Sequence, residues 1–162
     1  MDYLVIVQAR LDSQRLPGKA LLWTPFGPLA VVSALRSSGP EHRTVLATTE
    51  DKEGGYLSAI AELSHVDSFR GSKDDVLGRF HGASLGLGDS TYIVRLTADN
   101  IVPDAELISE CVACAADNQL GYLTTVREDV PYGLSVEVFT KELLNAAHQE
   151  ATDRADREHV KP

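Results

Sequence analysis

The strongest constraint on this chain is an alternation. Short apolar runs take turns with segments whose apolar residues recur at helical spacing. The first run, YLVIV over residues 3–7, is apolar at every position, as a strand buried on both faces must be. RTVLATT (43–49), VDSF (66–69) and STYIVRLTADN (90–100) read as further strands, and YLTTV (122–126) and LSVEVF (134–139) as strands of alternating type. Helical segments fall between them: 28–38, starting at Pro28 and ending before Gly39; 55–65; 74–87; 104–118, with an acidic first turn; and 140–151, capped by Thr140. Such alternation implies right-handed crossovers and a mostly parallel, doubly wound α/β sheet. Ligands on sheets of this kind bind beyond the carboxyl ends of the strands. The loop after the first strand and the segment TADN both lie at such ends.

The 162 residues, 43% of them hydrophobic, suit a single domain over 1–162 with a real core. A net charge of −9 argues against a general nucleic-acid or membrane binder, which a polyanion would repel. No apolar run reaches the ~18 residues of a membrane span, and the N-terminus lacks the basic start of a secretory signal, so a cytoplasmic protein is expected. Cys111 and Cys114 form one C-x-x-C in a helical stretch, away from the strand–helix junction of a redox motif. Two small buried thiols one turn apart are the expectation.

Against this acidic background, QARLDSQRLPGK (8–19) concentrates Arg10, Arg15 and Lys19 in one loop. It is not a Walker A loop: counting back from Gly18-Lys19 puts Ser13 where the first glycine belongs and Ala20 where the hydroxyl belongs. Nor does a dinucleotide fingerprint follow the first strand. The loop nevertheless has the parts for a polyphosphate. Arg10 and Arg15 offer planar forks, Lys19 a movable charge, Ser13 a hydroxyl, and Gly18 a place where backbone approaches a ligand closely. On composition alone, a solvated loop whose cations meet nearby carboxylates stands beside that reading.

IVQARLDSQRLPGKALL resembles the signature loop of the nucleotidylyltransferases that activate acidic sugars with CTP. The pattern is most similar to the SpsF-like spore-coat polysaccharide cytidylyltransferases, akin to the acylneuraminate and deoxy-octulosonate enzymes. VLATTEDKE, FRGSKDDVLGRF, YIVRLTADN, YGLSVEVFTKELLNAA and DREHVKP follow in the family's order, so the resemblance covers essentially the whole chain. It implies a Rossmann-like, three-layer α/β/α nucleotidyltransferase fold. It also implies transfer of CMP from CTP to a small acidic acceptor, a sugar acid or similar, with release of pyrophosphate. Carried over residue by residue, Ala9, Arg10, Ser13, Arg15, Gly18 and Lys19 hold the nucleotide. Arg70, Ser72 and Asp75 lie by its cytosine and ribose, and Asp99 binds Mg²⁺. Arg10, Arg15, Lys19 and Asp99 then form the catalytic set. For the segment 72–75 the competing role is capping of the next helix, by Ser72 or Asp74. Asp104 and Glu137 are candidate general bases, with a helix cap and a solvated strand face as the favoured alternatives.

The chain departs from the family pattern at two sites. A strand-end motif that usually reads Gly-Asp-Cys-Pro is here Ala98-Asp99-Asn100-Ile101, and Asp-Gly-Leu-Asp-Val-Glu becomes Tyr132-Gly133-Leu134-Ser135-Val136-Glu137. Ser135 holds a divalent ion less well than a carboxylate. The chain is also expected to be short at its C-terminus, with a second copy in a homodimer as one way to complete the acceptor subsite. Arg79, Arg95 and Arg127 are the cations available to an acidic acceptor, surface ion pairs being the commoner fate of such residues, and Glu158 and His159 are candidates to line the site. These departures motivate a second reading, a non-catalytic nucleotide-binding protein of a biosynthetic complex. A glycosyltransferase ranks last, because no Asp-x-Asp follows YIVRLT.

Overall fold

Each face of the sheet is built by alternate residues of the same strands. In the computed structural model, which describes residues 2–13, 15–126 and 128–160, β1 (Tyr3–Gln8) pairs in parallel with β4 (Arg43–Thr49) on one side and β6 (Tyr92–Thr97) on the other. β5 (Asp67–Gly71) extends the sheet beyond β4. β8 (Glu137–Thr140) runs antiparallel to β6, and β7 (Tyr122–Thr124) closes the far edge, giving the order β5-β4-β1-β6-β8-β7. The expected α/β sheet is present, with one reversed strand, β8, just inside the edge strand β7.

Tyr3, Val5 and Val7 point to one core, shared with α1 (Leu29–Arg36), α2 (Lys52–Leu63) and α4 (Ala105–Asp117). Leu4 and Ile6 point to the other, shared with α3 (Val76–Ala83), α5 (Lys141–Glu150) and Val160, which follows α6 (Arg154–His159). Both faces of β1 are therefore dry, which is why its sequence is apolar without alternation. Phe80 and Phe139 are fully buried anchors of the second core. Truncating either to alanine would cost about 3–5 kcal/mol.

Helix boundaries follow caps more closely than apolar spacing. α2 begins at Lys52, ahead of the expected residue 55, because the Asp51 carboxylate accepts from Gly54 N–H at 2.8 Å and from the Thr49 hydroxyl at 2.7 Å. That cap, worth about 1 kcal/mol, carries the helix through two glycines. Gly54 is needed there, since a Cβ would lie 1.9 Å from the Thr49 carbonyl oxygen. Pro28 precedes α1 as its cap residue and does not start it. It belongs to a short hairpin, β2 (Trp23–Thr24) with β3 (Gly27–Pro28), that the sequence reading did not contain. α3 is capped by Asp75, and neither Ser72 nor Asp74 is the cap. Thr140 caps α5 as expected. Cys111 is buried and Cys114 exposed, which corrects the expectation of two buried thiols. Burial pushes the Cys111 thiol up, away from the thiolate that redox chemistry needs. Among the described residues, no helix is long and apolar enough to cross a membrane.

Candidate functional site

The chain leaves β1 toward β4 on one side and comes back to β6 on the other, so the connections part above the carboxyl ends of β1 and β6. A crevice at such a switch point follows from topology. Here it is a cavity of about 470 Å³ whose back wall is Gln8, Ala9, Thr97 and Ala98. The ladder continues past the strand ends, with Ala98 N–H donating to Gln8 O at 2.9 Å and Ala9 N–H to Ala47 O at 3.0 Å.

The loop after β1 folds over one side of this cavity. Gly18 adopts φ 73°, a left-handed turn that favours glycine, and its N–H closes the loop on Leu11 O at 2.7 Å. Ser13 is tucked inward, and a 3-10 turn at Lys19–Leu21 follows. Arg10, Ser13, Arg15 and Lys19 all line the cavity, as does Asp99 at the end of β6. Lys19 Nζ donates to Asp99 Oδ2 at 2.6 Å. Arg10 Nε stands 3.8 Å from Asp12 Oδ1, too far for a hydrogen bond. Asp12 is instead gripped by Lys73 Nζ at 2.5 Å, a bond that holds its carboxyl below the usual carboxylate range. No carboxylate among the described residues pairs with exposed Arg15. The cavity wall thus carries more positive charge than its own acids neutralise.

Arg70, Ser72 and Asp75 are not brought into this cavity. Arg70 Nη2 donates to Glu50 O at 2.7 Å and Asp51 O at 3.0 Å, spending its fork on carbonyls of the β4–α2 connection. Ser72 contributes its carbonyl to Arg79. Asp75 accepts from Gly78 N–H and from Arg157 Nη1, both at 2.7 Å. With Arg154–Asp74, the Arg157 contact straps α6 onto the start of α3. Glu158 on α6 does line the cavity. Arg127 and the His159 side chain lie outside the described residues. Sequence reasoning placed TADN at a ligand-binding strand end but gave no role to Gln8, Thr97 or Ala98, although Gln8 and Thr97 stand out as polar ends of apolar strands.

A second cavity, of about 490 Å³, opens on the other side of Arg95 and includes Tyr132, Ser135 and Glu137. Arg95 Nη1 pairs with Glu137 Oε2 at 2.9 Å, and its Nε donates to Gln8 Oε1 at 3.3 Å. Tyr122 OH donates to the other carboxylate oxygen at 2.7 Å. Burial first, then that bond, pushes the Tyr122 phenol up to about 12. Glu137 is therefore a paired, half-buried group, and the solvated strand face is corrected. Asp104 accepts from Leu107 N–H at 2.9 Å and caps α4.

For a metal, no group of three or more His, Cys, Asp or Glu among the described residues could hold one. Asp99 gives Oδ2 to Lys19 and has no other hydrogen-bond partner among those residues. One strand-end carboxylate fits a hard cation that takes its remaining oxygens from phosphate and water.

Comparison with known proteins agrees with this geometry. A family profile described as cytidylyltransferase matches residues 4–162. An uncharacterized protein of Methanocaldococcus jannaschii is 36% identical over 167 residues, spanning 100% of this chain and 66% of that protein. The spore coat polysaccharide biosynthesis protein SpsF of Bacillus subtilis is 32% identical over 168 residues, spanning 98% of this chain and 68% of SpsF. The chain spans about two thirds of the length of these relatives. The structure of a cytidylyltransferase from Leptospira borgpetersenii superposes with a TM-score of 0.88 at 29% identity, over 99% of this chain and 69% of that one. CMP:2-keto-3-deoxy-manno-octonic acid synthetase, solved in complex with CTP, shares the fold at a TM-score of 0.71 and 13% identity, over 96% and 81% of the two chains. With the profile running from the first strand to the last residue, this chain belongs to the cytidylyltransferase family.

Proposed function

We propose that this protein transfers CMP from CTP to a hydroxyl of a small acidic acceptor, such as a sugar acid, and releases pyrophosphate. The observation that carries this reading is the excess of guanidinium and ammonium groups around a crevice at the sheet's switch point. Arg10, Arg15 and Lys19 would hold the triphosphate, with Ser13 donating a hydroxyl hydrogen bond and the Gly18 turn admitting the ligand to the backbone. The acceptor oxygen attacks the α-phosphorus as the bond to the β-phosphate breaks, and positive side chains stabilise the charge that builds on the departing pyrophosphate. Asp99 would hold Mg²⁺, whose charge neutralises phosphate oxygens when it is bound. The Lys73–Asp12 contact supports a role for Lys73 beside the phosphate loop, while Arg70 and Asp75 would have to release the partners they hold here to meet the cytosine and ribose. A reaction that consumes CTP fits a cytoplasmic protein, and a homodimer would bring a second copy to the acceptor side.

Thermal-shift measurements with each of the four nucleoside triphosphates, with and without Mg²⁺, test the reading. CTP with Mg²⁺ should raise the Tm most, and a screen of sugar acids and phosphonates should find one that releases pyrophosphate. A chain that CTP does not stabilise would refute it. The Lys19–Asp99 pair and the neutral Ser135 favour one second reading, a non-catalytic nucleotide-binding protein of a polysaccharide or natural-product biosynthetic complex. It expects CTP binding and no pyrophosphate from any acceptor.

A further inference from the structure

Arg79, on the first turns of α3, does not follow the usual rule for arginines. It is only 2% exposed. Its Nη1 donates to the backbone carbonyls of Ser72 at 2.5 Å and Lys73 at 3.1 Å. Its Nε is buried without a hydrogen-bond partner, and its Nη2 makes none among the described residues. No carboxylate among those residues forms an ion pair with it. A guanidinium cannot shed its charge to escape burial. An unpaired buried charge is costly, and an apolar side chain of the same length would avoid that cost. Burial, reinforced by the nearby charge of Arg10, acts against the charged form of Arg79.

The position explains the cost. Arg79 lines the first cavity, together with Arg10, Ser13, Arg15 and Lys19, and does not line the second. Arg10, Arg15 and Arg79 line one space with no hydrogen-bonded acid of their own among the described residues, and an incoming anion completes such an arrangement. We propose that Arg79 is an oxyanion-binding residue of this cavity, whose unspent Nε and Nη2 donors take oxygens of one phosphate of the bound nucleotide. This rests on the CTP reading above and adds a contact from α3, an element outside the phosphate loop. The same side chain fixes the carbonyls at 72 and 73, and Lys73 in turn holds Asp12 of that loop. Arg79 is therefore tied to the phosphate loop through Lys73 while its free donors face the same anion.

The test uses R79M and R79K in the full chain, with calorimetric titration of CTP, CMP, cytidine and inorganic pyrophosphate, and a Tm for each unliganded protein. R79M removes an unpaired buried charge and, with it, the bonds to the carbonyls at 72 and 73, so the two effects oppose and its Tm should stay close to that of the wild type. It should weaken CTP and pyrophosphate by about 10- to 100-fold, the loss expected for a charge-assisted contact, and leave cytidine unchanged. R79K should lie between R79M and the wild type, keeping the charge without the fork. Unchanged CTP affinity with a raised KM for the acceptor would assign the anion to the acceptor and overturn the nucleotide contact. A large fall in Tm in both variants with CTP affinity intact would reduce Arg79 to a structural role. If the wild type itself fails to bind CTP, the functional reading falls; if it binds and R79M binds equally, only this inference does.

Discussion

The two cavities are nearly equal in size, about 470 and 490 Å³, and share Arg95 and Thr97 in their walls, yet they settle charge in opposite ways. In the second, Arg95 is bonded to Glu137 and Gln8, and Glu137 accepts from Tyr122 as well. Arg95, the cation of that wall, has its counter-ion within the same wall. In the first, Arg79 has no ion-pair partner among the described residues, nor has Arg15, and Arg10 reaches Asp12 only at 3.8 Å. Lys19 shares the half-exposed Asp99. Balanced charge holds a wall in place; unbalanced charge marks where a ligand's charge arrives.

The largest test of this contrast is Arg15→Ala. It should abolish the CTP-induced rise in Tm and lower pyrophosphate release by about 10²- to 10³-fold, as removal of one stabilising donor does elsewhere. Turnover that survives in this variant would contradict the role given to the loop. Next comes Glu137→Gln in the second cavity, which leaves half-buried Arg95 without its anion. Urea melts should show a loss of about 1–3 kcal/mol, while the Tm gain from CTP persists. A change confined to CTP binding would mean that Arg95 and Glu137 serve the ligand and not the wall.

A smaller effect is expected from Ser135→Asp, which adds a carboxylate to the second cavity. The Mg²⁺ concentration that half-saturates pyrophosphate release should fall; an unaltered metal dependence would remove this position from the site. The smallest lies outside both cavities and provides their baseline. His81 of α3 stacks on His148 of α5, centroids 4.2 Å apart. Burial, with Lys141 and His148 beside it, holds His81 below its ordinary 6.5. The unfolded chain then takes up the proton first as pH falls, so stability should decline from about pH 6.5 down to the folded-state value and level off below it. The decline should stay under about 1 kcal/mol, and His81→Gln should flatten it in Tm measurements across pH 8 to 5. Asp51 shows the separate behaviour of a carboxylate held low by the Gly54 N–H: its contribution is present above about pH 4 and lost below.

Much of the fold was legible because periodicity is a property of a short window. The YLVIV run announced a strand covered on both faces, and Asp104, Ala105 and the spacing behind them marked α4 within a residue. The hairpin was not legible, since two-residue strands carry no period, and Trp23 and Phe26 point outward. The start of α2 was hidden behind Gly54 and Gly55, and only the Asp51 bond shows why the helix passes them. Of the site, Arg10, Ser13, Arg15, Lys19 and Asp99 were all named from sequence and meet at one cavity. Arg70 and Asp75 were assigned to the nucleotide from sequence but hold protein partners here, because the choice between a ligand and a neighbouring group depends on distances that no window contains. Arg79 was named as a cation available to an acidic acceptor, but the surface ion pair favoured for it is overturned, since it is buried. Three residues after Val76 it falls on the inward side of α3, but its charge pointed to water.

What the residues determined alone was the order of strands and helices, the faces they bury, and the one loop rich in cations, all local consequences of side-chain polarity and backbone preference. Only the tertiary structure decided which of those cations are spent. Lys19 meets Asp99 across 80 residues of sequence and Arg95 meets Glu137 across 42, while Arg79 meets no acid among the described residues. The energy of a charge depends on its distance from other charges and on the water it loses, and both are set when the chain returns on itself.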